Sequence, residues 1–343
     1  MVRLTRAQTQ ERTRSGVLAA ARAEFAAHGY RDARIDGIAE RAGASRGAVY
    51  SNFPGKRALY LSVLAADAEA AEAGEPATAA AADVSSAREA LAAIARVRLG
   101  TDLAAEVLDD DASREAYAQL LTLESLVLGL ALERLGRPGR GVRAAATALT
   151  LLAGAHRLGA TAPGFPDPFD VVAACELLAD LPPDHGWPPP YLGHVSPAAV
   201  VDEPWPPGLP PAAGDGVVHV LGLHRLEAAE ESVRTAPAGA DVTIGIVTGD
   251  PDDLLPLARL VLARLRGTLA RTVPAPARPP LRLLLGPTAD ELAAAAGLTV
   301  VDDDTEAAVR ITGGRIVARA SGRGAGHAAA AADVTPRVSD IGM

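Results

Sequence analysis

Cysteine is nearly absent. The 343 residues hold one, Cys175, which excludes an intrachain disulfide and any CxxC redox or zinc-binding pair. Aromatic residues make up only 3% of the chain, so its cores must be built from Ala, Leu and Val. Such a composition favours closely packed helices over wide aromatic-lined cavities. No run reaches the roughly 20 uninterrupted apolar residues of a membrane-spanning helix. The opening residues Met1 to Arg6 include bases, but the apolar stretch of a secretory leader does not follow them. These shortages predict a cytoplasmic chain with no membrane partner, and no cofactor is expected.

Positive charge is short as well. The net charge is −9, which by itself argues against a nucleic-acid partner. Its distribution reverses that reading. Residues 1–60 carry eleven bases against five acids, a local charge of +6, which leaves −15 for the remainder. A basic head on an acidic body is the electrostatic footprint of a DNA-binding module joined to regions with other partners.

With 49% hydrophobic residues, the chain has enough apolar material for two or three domains. Residues 1–60 read as short helices. Residues 61–180 read as longer Ala/Leu-rich helices, near 84–99, 112–135, 140–159 and 168–180. Residues 181–216 hold eleven of the 26 prolines and read as an extended linker, with Trp187, Tyr191 and Trp205 available to pack on a neighbour. From 217 to 343 the period changes. Strands are predicted at 217–221, 242–247, 281–285, 307–311 and 315–319, the last two joined by a Gly313-Gly314 hairpin turn. A helical pattern lies between the first two strands, others cover 252–270 and start near 288 and 325, and a short run lies at 298–301. Strands alternating with helices indicate an α/β domain. The predicted fold is therefore mostly α: a three-helix DNA-binding domain, an all-α ligand-binding and dimerisation domain, and an appended C-terminal α/β domain.

Residues 10–60 carry the chemistry. Val17, Leu18, Ala21 and Phe25 share a helical face, and His28-Gly29 ends that helix. Ile35, Ile38, Ala39 and Ala42 form a second short stripe, for which Asp32 is the favoured cap. Gly43 follows where a left-handed turn residue is wanted, and Ser45 stands where an N-cap would open a third helix, Arg46 to Phe53. Two short helices joined by a glycine-containing turn make a helix-turn-helix. Such a pair taken alone is more often plain helical packing; spacing, residue types and local charge together favour DNA. Arg46 could donate to guanine or to phosphate, beside Gly47 and Ala48, which are too small to block approach to base edges. Tyr50, Ser51 and Asn52 offer hydroxyl and amide groups. Lys56 opens the next helix, where its charge and the terminal amides can jointly hold a phosphate.

Residues 10–64 resemble the DNA-binding domain of the TetR family of repressors. The resemblance is carried by the aromatic after Gly29, Ile38-Ala39, Ala42-Gly43, Ser45 to Gly47, Tyr50, Asn52-Phe53, and Lys56 with Leu59. It implies that Ser45, Arg46, Gly47, Ala48, Tyr50, Ser51, Asn52 and Lys56 face DNA while Ile38, Ala42, Phe53 and Leu59 form the core. The family often has Ser or Thr at the start of the second helix as a phosphate contact; here Ala33-Arg34 stands there, and Arg34 could substitute by charge. The resemblance further implies a helical regulatory domain that encloses a small-molecule inducer and forms a homodimer through its last two helices, here 140–159 and 168–180. The expected function is a ligand-responsive repressor on a palindromic double-stranded operator.

Polar residues inside the apolar stretches are pocket candidates: Arg98, Tyr117, Gln119, Glu124 and His156, with Arg157 beside the last. A lone His or Glu on a helix is more often solvated or paired within it than in contact with a ligand. The C-terminal strand order faintly resembles a non-redox thioredoxin-like domain, similar to the one attached to flavin-dependent aromatic hydroxylases. Within it, Gly322 to Gly326 could cradle an anion, although a plain strand-to-helix loop is the simpler reading. Asp302 to Asp304 read as a solvated acidic turn, and His219 with His224 lack the third ligand a catalytic metal needs. An alternative function places an enzymatic activity in this block with the head secondary, but no nucleophile, acid/base pair or metal set converges there. A binding module that adds a second input is preferred.

Overall fold

Four helices build the head. Thr5 opens α1 (Arg6–Asp32) with a reciprocal capping box to Gln8, and the helix breaks at Gly29, whose φ of 71° few other residues adopt. α2 (Ile35–Ala42) ends on Gly43 in the left-handed region at φ 61°, α3 (Arg46–Tyr50) opens on Ser45, and α4 (Lys56–Gly74) leads away into the body. Apolar faces of all four meet in one core that includes Val17, Phe25, Ile38, Val49, Phe53 and Leu59. Phe25, Tyr30 and Tyr60 cluster at its edge with ring centroids 4.8–6.4 Å apart. Ala42, expected inside, is half-buried against this core.

In this computed structural model the described residues are 5–74, 79–100, 107–108, 110–182, 187, 193, 195–211 and 215–332. They fall into two units: a helical unit, Met1–Pro182 with Asp250–Arg278, and a sheet unit, Pro183–Gly249 with Pro279–Met343. Tyr191 lies outside the described residues.

Beyond the head, the helical unit contains α5 (Ala79–Ala82), α6 (Ala87–Arg98), α7 (Asp111–Arg134), α8 (Val142–Thr161) and α9 (Pro168–Leu177). α7 is buried nearly all round from Leu123 to Leu132, which makes it the central helix. It is the one helix among the described residues long and apolar enough to cross a membrane, and 67% of its most apolar stretch is buried within the protein. α7 and α8 meet backbone to backbone. A Cβ on Gly129 would lie 2.6 Å from the Val142 amide nitrogen, and one on Gly141 would lie 2.2 Å from the Gly129 carbonyl oxygen. Cys175 of α9 is fully buried, and burial pushes its thiol up to about 11, so it stays protonated.

The helix expected over 252–270 does not stay with its neighbours in sequence. After α10 (Ala229–Thr235) of the sheet unit, the chain forms α11 (Leu255–Thr272), which packs along α4 and against α6 and α7 and belongs to the helical unit. Leu257, Ala258, Leu260, Val261, Leu262, Ala263 and Leu265 are all buried. Alternation with strands sets where a helix falls in the chain; its apolar surface sets what it packs on.

The sheet unit holds β1 (Ala199–Pro204), β2 (Gly216–Gly222), β3 (Asp241–Val247), β4 (Leu281–Leu285), β5 (Glu306–Thr312) and β6 (Arg315–Ser321), in the order β1-β6-β5-β2-β3-β4. β2, β3 and β4 are parallel, and β5 and β6 form the antiparallel hairpin. Gly313 and Gly314 both take positive φ at its turn, as a two-residue hairpin loop requires. α12 (Pro287–Ala295) lies over a core that includes Trp205, Leu209, Val218 and Ile311. α13 (Ala325–Ala331) packs on β5 and β6 through Ala325 and Ala329 against Ala308 and Ala320. The run at 298–301 forms no strand.

β1 lies inside the segment expected as linker. It is an edge strand with β6 as its single partner, and an edge tolerates proline because one row of backbone donors needs no strand.

Candidate nucleic-acid interface

The head projects α3 on the end of a rigid brace. Gly43 turns the chain out of α2, and the Ser45 hydroxyl accepts the Ala48 amide at 3.1 Å, fixing where α3 starts. Val49 buries one side of the helix in the head core, which leaves Arg46, Gly47 and Tyr50 exposed on the other. Tyr50 is 50% exposed.

Several candidate residues are already occupied. Arg46 pairs with Asp36 of α2 across an exposed surface, so it must exchange that partner to reach a base or phosphate. The Ser51 hydroxyl donates to the Ala48 carbonyl at 3.0 Å, and Asn52 Nδ2 donates to the same oxygen at 2.8 Å. Both side chains thus finish α3, which ends at Tyr50 rather than Phe53. Ala48 is half-buried. Lys56 Nζ donates to the Arg31 carbonyl at 2.8 Å and lies 5.1 Å from the centre of the Tyr30 ring. The break at Gly29 thereby places a lysine at the head of α4. Arg34 is exposed at the N-cap of α2, but its side chain caps nothing. Asp32, favoured as that cap, instead falls in the last turn of α1.

Two bracing residues carried no motif. Arg14 of α1 donates to the Asn52 carbonyl at 2.9 Å and stacks over Phe53 at 4.4 Å, holding the end of the reading helix. Glu24 is a buried acid whose carboxylate takes Arg41 at 3.4 Å and the Arg34 amide at 3.4 Å. A Cβ on Gly37 would stand 2.8 Å from Glu24 Oε1, so this glycine makes room for the acid. A glutamate on the apolar face of α1 opposite a glycine in α2 is the sequence trace of that contact.

In the body of the helical unit, α7, α8 and the end of α6 line a half-open cavity of about 540 Å³. Arg98, Tyr117 and His156 line it, together with Arg157, Thr122 and Ser125, and apolar Leu121, Leu149 and Leu152. Gln119 is half-buried on α7 and is not among the lining residues. Glu124 lies behind the wall, 1% exposed, with Arg98 Nη1 at 3.2 Å from its Oε1. Burial holds its carboxyl above the usual range, against the pull of Arg98 and of Arg264 from α11.

Several polar groups singled out in the sheet unit are engaged within it. The glycine loop before α13 does receive an anion, but an internal one: Gly324 and Ala325 donate their amides to Glu306 Oε1 at 2.6 and 3.2 Å. Arg225 Nη2 holds the other oxygen at 2.7 Å. His219 shares a 2.9 Å hydrogen bond with Ser232, both sealed from solvent, and burial with the nearby Arg225 charge pushes the histidine down to about 3. Asp302 accepts from the Asp304 amide and the Thr305 hydroxyl, closing the acidic turn on itself. Among the described residues no group of three or more His, Cys, Asp or Glu is placed to hold a metal ion.

A basic helical bundle that presents its third helix from a glycine turn is a helix-turn-helix DNA-binding head. Residues 17–63 match the family model described as bacterial regulatory proteins, tetR family. Over 65 residues the chain is 46% identical to the HTH-type transcriptional regulator SrpR of Pseudomonas putida, and likewise to the uncharacterized HTH-type transcriptional regulator TtgW from a strain of the same species. Each match covers 19% of this chain, with 30% of SrpR and 48% of TtgW, so the chain spans less than half the length of these relatives. A crystal structure from Pseudomonas aeruginosa PAO1, described as a transcriptional regulator, is similar at 22% identity and a TM-score of 0.30, covering 52% of this chain and 91% of the other. The N-terminal head is a TetR-family helix-turn-helix.

Proposed function

We propose that the protein is a ligand-responsive transcriptional repressor that binds a palindromic double-stranded operator as a homodimer. The observation that carries this reading is α3: Arg46, Gly47 and Tyr50 exposed on one side of a helix anchored by Val49, within a head of net charge +6. Tyr50 and Arg46 approach base edges or backbone. Ser45, Gly47, Ala48, Ser51 and Asn52 shape the approach, and Lys56 and Arg34 hold phosphates.

Dimerisation is supported by α8, α9 and the turn between them, which leave Leu158, Phe165, Phe169 and Leu177 exposed, Phe169 by 84%. Large apolar side chains gathered in the open mark an interaction surface. A two-fold pair of heads would reach successive major grooves, which requires inverted half-sites about one helical turn apart. The cavity supports an amphipathic inducer, with apolar walls for its body and Arg98, Tyr117 and His156 for a polar end. In the sheet unit, a βαβ pair followed by a hairpin and closing helix supports a non-redox thioredoxin-like module that adds a second input. A binding titration tests the reading: full-length protein with a labelled operator duplex should form a complex whose affinity falls steeply with salt. Binding indifferent to salt and sequence would overturn it.

A further inference from the structure

We infer that residues 250–278 position the DNA-reading head, with Asp253 and Arg57 as the positioning pair; this inference rests on the operator-binding reading above. Arg57 is the second residue of α4, next to Lys56. Its guanidinium pairs at once with Asp110, the N-cap of α7, and with Asp253 in the turn that opens α11. Two distant stretches of chain are thus tied to the base of the head. The pair is mostly shielded from solvent, the side chains of Arg57 and Asp253 being 18% and 23% exposed, so salt screens it less than a surface pair.

A second tie lies further along. Arg259 of α11 holds Glu69 of α4 with both prongs, Nε to Oε1 at 2.9 Å and Nη2 to Oε2 at 2.7 Å. Beyond it, Ala263 and Gly267 face Ala68 and Ala71 around a small gap. The contacts advance together along both sequences, so α4 and α11 run side by side in the same direction. At the near end, Pro251, Asp252, Leu255 and Pro256 share a cavity of about 50 Å³ with Arg14, Asn52 and Phe53, the residues that finish and brace the reading helix.

The segment that makes these contacts is not free to settle alone. Its two ends continue into β3 and β4, adjacent parallel strands with Val242 opposite Leu281. Acids at the N-cap of α7 and in the turn before α11 both face Arg57, so the inserted segment shares with the body in setting the tilt of α4.

The test uses full-length protein and a duplex selected by it from a random pool, compared with a duplex carrying one half-site. Asp253→Asn and Arg259→Glu are each expected to weaken the two-half-site duplex about five- to tenfold, and to change one-half-site binding less than about twofold. The slope of affinity against salt should stay that of the wild type, because no phosphate contact is lost. The charge-reversed double variant Glu69→Arg with Arg259→Glu should recover wild-type binding. Equal binding by all variants would overturn the inference, as would parallel loss on both duplexes with a lowered melting temperature and no recovery. Wild-type protein that selects no duplex would overturn the operator reading, and this inference with it.

Discussion

Tyr50 stands exposed on a helix where Ser45, Ser51 and Asn52 already spend their polar atoms on backbone. An exposed side chain of this kind contributes little to folding, so its loss separates recognition from stability. Tyr50→Ala should lower operator affinity about tenfold or more, within the roughly 1–3 kcal/mol of a good base contact, and leave the melting temperature unchanged. Electrophoretic mobility shift with parallel calorimetry checks both halves. Arg46 differs in having a partner, Asp36, at the surface. An exposed pair is worth about 0–1 kcal/mol, so exchanging Asp36 for DNA costs little.

Glu231 in the sheet unit gives a pH signature. Burial first, and then the neighbouring Glu306 charge, push its carboxyl from 4.5 up to about 7, against a hydrogen bond from the His327 backbone and the attraction of Arg225. Among the described residues its Oε2 is buried without a hydrogen-bond partner. In the unfolded chain the proton leaves near 4.5, while the fold retains it until about 7, so the fold binds the proton more strongly. That contribution to stability is fully present below about 4.5 and is lost as pH rises through about 7. Melting of the full chain should show a sheet-unit transition that falls between about pH 4.5 and pH 7, and Glu231→Gln should flatten that decline. An unchanged profile in the variant would contradict the assignment.

At the scale of elements, α7 crossing α8 at Gly129 and Gly141 leaves no space for a methyl group against backbone. Gly129→Ala should therefore cost about 1–3 kcal/mol through overpacking, read as a lower denaturation midpoint at unchanged slope. Much of the element order was legible in sequence, and the reasons are local. α2, the Gly43 turn and the Ser45 cap could be read because each is set by a residue type with one conformational role. The β2, β3, β4, β5 and β6 runs could be read because β-branched and apolar residues stand between glycine or proline breaks.

What escaped was non-local. β1 was hidden because proline density resembles a linker until an edge position is available. The Glu24–Gly37 contact and the Arg46–Asp36 pair join helices across a turn, where no periodicity records them. Of the pocket candidates, Arg98, Tyr117 and His156 share one cavity while Gln119 does not line it and Glu124 lies behind it, a distinction set by helix rotation rather than residue type.

At the scale of the molecule, the helical unit is completed by a segment encoded after three strands of the sheet unit. Truncation after Pro182 removes α11 and uncovers the surfaces of α4, α6 and α7 that it covers. Four leucines of α11, at 257, 260, 262 and 265, are at most 1% exposed, and full burial of each such side chain is worth about 1.5–3 kcal/mol. Residues 1–182 alone should therefore aggregate or melt far below the full chain by circular dichroism. A cooperative transition at the full-length temperature would show that α11 is dispensable.

The central claim is that the basic head reads duplex DNA as one of a two-fold pair. Selection of bound duplexes from a random pool by full-length protein, followed by sequencing, addresses it most directly. The account predicts enrichment of two inverted half-sites at a fixed spacing, lost with Tyr50→Ala. Recovery of unenriched sequence, or of a solitary asymmetric site, would contradict it.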